Sequence, residues 1–191
     1  FKLENNCTLG DNFWLNINNK GVTDKKVCVT IGNSSNIGRN NFFTVGDSLT
    51  VGDYFFSSCY CSIVGASHKN GDPSKPYIIS EVIDLGEGIE IGTNVFMGAH
   101  SMIIGSVKVG YGSIIAAGAV VIDDIPPLSI VVGSPAKVTK RFSFRKNMWI
   151  DVHKFNPNES ITEDLYKNMI AEKDPHVTKA CHAASVTSGW T

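Results

Sequence analysis

The sequence predicts an all-β fold: a parallel β-helix of six-residue repeats, with a loop extruded from the coils and a short C-terminal helical appendage. Three observations predict it. First, stepping by six from Leu85 meets Ile91, Met97, Ile103, Val109, Ile115 and Val121, all aliphatic or Met. Second, Gly follows in Gly86, Gly92, Gly98 and Gly110, and a second series four residues on (Ile89, Val95, Ser101, Val107, Ser113, Ala119, Ile125) is small or β-branched. Third, charged residues are only 18% while Gly numbers 18 of 191, against a typical ~25% charged. That balance excludes a disordered charged chain and argues against a charged helical bundle.

A six-residue period does not match the 3.6 residues per turn of a helix or its supercoiled variants. It matches a short strand plus a tight turn, so each hexad forms one side of a coil. One aliphatic side chain per hexad points inward, Gly supplies positive φ where the turn needs it, and the small residue fits beside the bend. Stacked coils pair their backbones with the coil above and below. Upstream the period recurs in Ile31-Gly32 and Ile37-Gly38, then in Val45-Gly46 and Val51-Gly52, continued by Ile63. The step of eight from Ile37 to Val45 places two extra residues in that turn. Leu9-Gly10-Asp11-Asn12 reads as an earlier hexad, and polar residues 16–26 read as a loop.

The pattern stops between Ile63 and Leu85. Residues 65–76, GASHKNGDPSKP, are polar and carry a lone His; the whole excursion is taken as loop 65–84. Chemistry tends to sit on loops carried by rigid scaffolds. Pro126-Pro127 ends the regular coils. Residues 137–146 hold five basic groups, and Ser160-Ile161-Thr162-Glu163 has capping-box spacing. It predicts a helix from Ile161 to about Lys173, with Ile161, Leu165 and Met169 on the packed face. The domains read as 1–136, the β-helix, and 137–191, a basic segment, helix and tail. His182 and Trp190 are candidate contacts in the tail.

With a net charge of −1, no whole-chain field would gather nucleic acid. No run reaches the ~18 apolar residues of a membrane span. Five cysteines without a CxxC (Cys7, Cys28, Cys59, Cys61, Cys181) read as reduced thiols in a cytoplasmic protein. The chain opens on Phe1, which fits a trimmed N-terminus.

Three stretches carry a resemblance to a known family: GASHKNGD, IGTNVFMGAH and VGYGSIIAAGAVVIDDIPPLSIVVGSPAKVTK. They resemble the hexapeptide-repeat acyltransferases, in particular the galactoside, maltose, xenobiotic and polysaccharide O-acetyltransferase branch. The likeness covers roughly residues 30–141, and Gly133-Ser134-Pro135-Ala136-Lys137 matches the family's Gly-x-Pro-[Ala/Cys]-[Lys/Arg] coil ending. It implies a left-handed parallel β-helix, acetyl-CoA as co-substrate, a sugar or polysaccharide acceptor, a homotrimer with sites between subunits, and no metal.

His68 matches the family's catalytic histidine. A sugar hydroxyl is a weak nucleophile, and an imidazole with an ordinary pKa of ~6.5 can take its proton, help worth about 10²–10⁴-fold. The resemblance places a backbone oxyanion donor near Gly98-Ala99 and the pantetheine arm along Ala99, Ala117 and Gly118. Lys137 and Lys140 match positions that contact CoA phosphates, with Arg141 as a third cation. Phe96 stands where relatives often have Trp, and Ile122 where they often have Thr; each loses a side-chain hydrogen bond. Phe96 and His100 are candidates for lining the acceptor site. Trp14, Phe42, Phe43, Tyr54, Phe55 and Phe56 are expected mostly in the core, and Asp47 and Asp53 at turns.

Two other functions stay open: N-acylation of an amino-sugar nucleotide or antibiotic, and a non-catalytic or metal-dependent β-helix. A zinc hydratase site needs three converging His, and only His68 and His100 lie in the coil region.

Overall fold

The computed structural model describes residues 1–18 and 28–173. The chain winds as a left-handed parallel β-helix with three flat faces. The first face stacks Lys2–Leu3, Cys28–Ile31, Ser48–Val51, Ile89–Ile91 and Lys108–Val109. The second stacks Thr8–Leu9, Asn36–Ile37, Phe56–Ser57, Phe96–Met97, Ile114–Ile115 and Ser129–Val132. The third stacks Trp14–Ile17, Phe42–Val45, Ser62–Val64, Met102–Ile104 and Val120–Val121.

Both hexad series point inward. Ile91, Met97, Ile103, Val109, Ile115 and Val121 are buried, and so are Ile89, Val95, Ser101, Val107, Ser113, Ala119 and Ile125. Leu85 is only half-buried, on the return from the extruded loop. Of the four hexad glycines only Gly86 lies at positive φ, at 134. Gly92, Gly98 and Gly110 do not; a Cβ at Gly98 would sit 2.5 Å from the Ala117 nitrogen of the next coil. Close approach of backbones excludes a side chain there. The left-handed turn residues come two positions later, at Asn94, His100 and Gly112.

The eight-residue step also lies elsewhere. Phe43, fully buried, takes the inward place six after Ile37. The extra pair therefore falls between Phe43 and Val51, at the corner from third to first face. An aromatic in an aliphatic column hid the phase. Of the early aromatics only Phe43 and Phe55 are core; Trp14 and Phe56 are 66% and 48% exposed.

The coils run past Pro126-Pro127: Ser129–Val132 pairs parallel with Ile114–Ile115 before the direction reverses. Lys137–Ser143 then pairs antiparallel with Ser129–Val132, and Met148–Asp151 with Lys137–Ser143, extending the second face. Helix α1, Glu163–Lys173, crosses the corner between first and second faces. It starts two residues later than expected because the Thr162 hydroxyl, not that of Ser160, caps it by accepting from Leu165 N–H. Glu163 instead accepts from the Thr93 hydroxyl at 3.0 Å. Tyr166 is buried, with Ile161 and Ile170 packed around it, whereas Leu165 is exposed. The Tyr111 hydroxyl donates to the Ile161 carbonyl, and the Asn94 side-chain amide donates to Tyr166 Oη at 2.7 Å.

The expected loop over 16–26 begins later, since the strand runs to Ile17; residues 19–27 lie outside the described residues, as does the tail with His182 and Trp190. Cys7 and Cys59 are half-buried and Cys61 buried, all three unpaired. No described helix is long and apolar enough to cross a membrane.

Candidate functional site

The extruded segment is a free-standing arm. Ala66–His68 pairs antiparallel with Val82–Asp84, placing His68 opposite Val82. Its root is tied to the corner after the third face: Gly65 N–H donates to the Thr44 carbonyl and Leu85 N–H to the Gly65 carbonyl. All residues from 67 to 79 are exposed, and a 3-10 turn at Tyr77–Ile79 precedes the return strand. His68 Nδ1 lies 2.9 Å from the Ser80 carbonyl oxygen. A carbonyl only accepts, so Nδ1 is the nitrogen that carries the proton in the neutral ring, with the lone pair on Nε2.

The second cluster lies at the corner between the second and third faces. Gly98 N–H is committed to the coil ladder, donating to the Ile115 carbonyl at 2.8 Å. Ala99 N–H has no acceptor among the described residues, while the Ala99 carbonyl accepts from Gly118 N–H at 2.9 Å. One coil further, Ala117 and Gly118 are exposed, and nothing lies within 4 Å of a Cβ built at Gly118. The corner is therefore smooth above Ala99. Below it stands His100, left-handed at φ 59 and stacked on Tyr60 with ring centroids 5.0 Å apart.

His68 and Ala99 are not brought together within one chain. The arm leaves from one long edge of the third face and Ala99 lies on the other. The strands between them are about three residues long, ~10 Å, plus the two corners. The outer surface of that face is apolar in large part: Trp14 and Phe42 at one end, then Val64, Met102, Ile104 and Val120, with Ile122 49% exposed at the arm-side edge, interrupted by Asn16, Thr44 and Ser62. The first face is polar outside, with Thr50, Glu90 and Lys108, the last two ion-paired at 3.1 Å.

Phe96 does not face that corner. It stacks on Phe56, with centroids 5.2 Å apart, and lines a cavity of about 600 Å³ between the second face and α1, with Phe142, Phe144, Trp149 and Ile170. Lys137 and Lys140 are exposed at the top of the coils. Lys137 pairs with Asp123 at 3.2 Å. Arg141 is no surface cation: its guanidinium lies 4.4 Å above the Phe155 ring. Burial pushes its pKa down from the usual range. No group of three metal-ligating side chains occurs among the described residues.

Sequence reasoning missed Ser80, Tyr60, Asp123 and Phe155. Ser80 acts through its backbone and leaves no side-chain signal. Tyr60 was available: it follows the inward Ser57 by three, as His100 follows Met97.

The fold defines the class: a left-handed parallel β-helix, shared with known acyltransferase structures. AntD, an N-acyltransferase from Bacillus cereus in complex with dTDP and coenzyme A, superposes with a TM-score of 0.54 at 21% identity, covering 87% of this chain and 92% of that one. The polysialic-acid-specific acetyltransferase NeuO gives 0.53 at 22%, covering 88% and 80%. No protein-family profile matches the chain. Among sequence relatives, a Staphylococcus aureus (strain Mu50) protein named as an acetyltransferase is 35% identical over 119 residues, 62% of this chain and 58% of the relative. The galactoside O-acetyltransferase of Escherichia coli (strain K12) is 29% identical over 143 residues, 73% and 66% of the two chains. The chain thus spans about 58% of the length of the staphylococcal relatives it matches. The resemblance read from the hexads, the His loop and the coil ending agrees with these comparisons: the sequence relatives are named as acetyltransferases, and the fold is shared with an N-acyltransferase and an acetyltransferase.

Proposed function

We propose that this protein is an acetyl-CoA-dependent O-acetyltransferase that acylates a hydroxyl of a sugar or surface polysaccharide, with His68 as general base. The observation that carries the reading is the His68–Ser80 pair: an exposed imidazole whose Nδ1–H is held by a carbonyl, leaving Nε2 to take a proton. In the reaction Nε2 accepts the acceptor's hydroxyl proton as the oxygen attacks the thioester carbonyl. The carbonyl oxygen of the tetrahedral intermediate accepts from Ala99 N–H, a contact of a type worth ~10²–10³ in rate. Collapse breaks the C–S bond, and the imidazolium returns the proton to the CoA thiolate. The pantetheine arm runs along Ala99, Ala117 and Gly118, with its phosphates toward Lys140 and Lys137.

A homotrimer supplies the juxtaposition that one chain lacks. With three apolar third faces turned to a common axis, the arm edge of each copy meets the Ala99 edge of the next, and the assembly closes. Unpaired Cys7, Cys59 and Cys61 support a cytoplasmic setting. The galactoside O-acetyltransferase among the relatives favours oxygen over nitrogen as acceptor.

The test is thiol release from acetyl-CoA across a panel of sugars, amino-sugars and antibiotics, for the native protein and His68→Ala. The expected result is turnover on a hydroxyl acceptor and a loss of about 10²-fold or more in kcat for the variant. Equal rates would remove His68 from its role, and turnover confined to amines would replace O- with N-acylation.

A further inference from the structure

We propose that the cavity between the second face, the antiparallel extension and α1 is a binding site for a small uncharged aromatic compound that carries an oxygen acceptor at one edge. It lies apart from His68 and the Ala99 corner, and the inference does not rest on the acyltransferase reading.

The walls follow from three local patterns. On the coils, Phe96 and Ile114 are cross-strand partners whose side chains point out of the second face. On the extension, Phe142 is paired with Trp149, and Phe144, two residues along, falls on the same side. On α1, Tyr166, Met169 and Ile170 have the i, i+3, i+4 spacing that puts them on one helical face. These surfaces enclose about 600 Å³, inside the ~300–1,000 Å³ range of small-molecule sites. The rings hold one another in place. Phe142 lies edge-on to both Phe144 and Trp149, with centroids 5.0 and 5.3 Å apart, and Phe96 is backed by Phe56. Walls fixed in this way keep the cavity formed before a ligand arrives.

The lining chemistry selects the occupant. Among the described residues no charged side chain lines the cavity, so an ionised ligand would lose its hydration without a partner. The polar side chains of the lining are Asn94, Asn147 and Tyr166, too few for the hydroxyl groups of a sugar. Flat rings favour a rigid planar body, which also loses less rotamer freedom on binding than a flexible chain. One polar demand remains. Tyr166 is only 9% exposed, and its Oη is bonded to the Asn94 side-chain amide at 2.7 Å. Either orientation of that amide uses one donor and one acceptor of the pair and leaves a donor over, the phenol O–H in one case and an amide N–H in the other. Gly112 makes this placement possible. It holds a left-handed corner at φ +64, and a Cβ there would sit 2.7 Å from Tyr166 Oη. The neighbouring coils place Asn94 and Leu128 at the same left-handed corner. The hydroxyl is thus set against the backbone at the end of an apolar cavity, and an oxygen on the edge of an aromatic ring answers the spare donor.

The experiment uses the full chain with α-tetralone, a two-ring aromatic ketone, as probe, followed by isothermal titration calorimetry and hydrogen exchange. The expected Kd is on the order of 0.1 mM, within what a ligand of about eleven heavy atoms can reach. Exchange of helix Glu163–Lys173 and of residues 142–149 should slow at saturation, while amides of residues 31–64 keep their rates. Tyr166→Phe keeps the ring, removes the hydroxyl and should weaken binding about 3- to 10-fold. Tetralin, which lacks the oxygen, should bind the native protein and this variant alike. Met169→Trp fills the cavity from the helix side and should abolish binding with the far-UV circular dichroism unchanged. Absence of heat and of protection with the native protein would overturn the proposal, and so would α-tetralone binding that survives Met169→Trp. Tighter binding of decanoate or of maltose would overturn it by assigning the cavity to an anionic chain or to a sugar. Equal affinity of the native and Tyr166→Phe proteins for α-tetralone would overturn the requirement for an oxygen acceptor. Binding that appears only after Trp190→Ala would make the chain's own tail the occupant and would overturn a free-ligand site.

Discussion

Two glycines one coil apart give opposite forecasts. Gly118 lies at φ +70 with nothing within 4 Å of an added Cβ. A left-handed L-residue costs roughly 1–2 kcal/mol, less for Asn, and the equivalent places on the coils below are all held by L-residues, His100 and Tyr60 at φ 59, then Asn40 and Asn12 at φ 56 and 57. Gly118→Asn should therefore cost under about 0.5 kcal/mol of stability. Its side chain, however, fills the smooth corner above Ala99, and KM for acetyl-CoA should rise about 10-fold, the equivalent of ~1.4 kcal/mol of lost binding. Gly98 is the reverse case. A Cβ there falls 2.5 Å from Ala117 N and 3.0 Å from Ala116 C, both backbone atoms of the next rung. Two rungs must separate or slide, and Gly98→Ala should cost toward the upper end of the ~1–3 kcal/mol of overpacking. Urea denaturation followed by far-UV circular dichroism reads the stabilities, and thiol release reads the kinetics. A neutral Gly98→Ala would refute the coil spacing. A Gly118→Asn variant with unchanged acetyl-CoA kinetics would refute the pantetheine path.

Two further outcomes follow from the charges and the buried hydroxyl and thiol groups. Lys140→Ala should raise KM for acetyl-CoA several-fold, on the order of a lost charged contact of ~1.5 kcal/mol, and the effect should shrink with added salt. Lys137→Ala should do less, because Asp123 at 3.2 Å already balances that cation; equal effects in steady-state assays would contradict this ranking. Stability should decline as the solution becomes alkaline. Burial raises the pKa of Cys61, of Tyr111 (with Glu163 adding to it) and of Tyr166, so above ~9 for the thiol and ~10 for the phenols the unfolded chain releases protons that the folded chain retains. The folded state binding more protons makes unfolding easier with each rise in pH. Urea midpoints measured between pH 8 and 11 check this, and a rising or flat profile would exclude it.

The six-residue period was legible because the core of a solenoid is assembled one coil at a time, and each coil repeats the same demand on the same two positions. Val95, Ser101, Ser113 and Ala119 are as buried as the aliphatic series, so size varies while burial does not. What escaped the reading was anything that met the demand by another route. Phe43 fills an inward place with a ring and shifts the apparent phase. Gly98 looks like a turn glycine but is required by backbone contact. The left-handed positions are held by Asn94 and His100, residue types that carry other meanings in sequence. The helix showed its existence but not its packed side, because Glu163 and Tyr166 are drawn to Thr93 and Asn94 across the corner, turning Leu165 outward. His68 could be picked out only through its loop. The group that orients it, the Ser80 carbonyl, is present in every residue and so marks none.

A triangular coil has three faces and three edges, and this chain treats them unequally. The first face is charged outside and suited to water. The second is occupied: α1 and the antiparallel extension pack against Phe96, Leu128 and Ile114 around the cavity. The third is largely apolar and uncovered among the described residues, bounded by the arm on one edge and by Ala99 and Gly118 on the other. The hydrophobic core lies inside the coils, so the asymmetry of the outer surface is not what fills it. It suits the shared site proposed above, which would set a base on one edge, the Ala99 amide donor on the opposite edge, and between them a surface turned to a second copy.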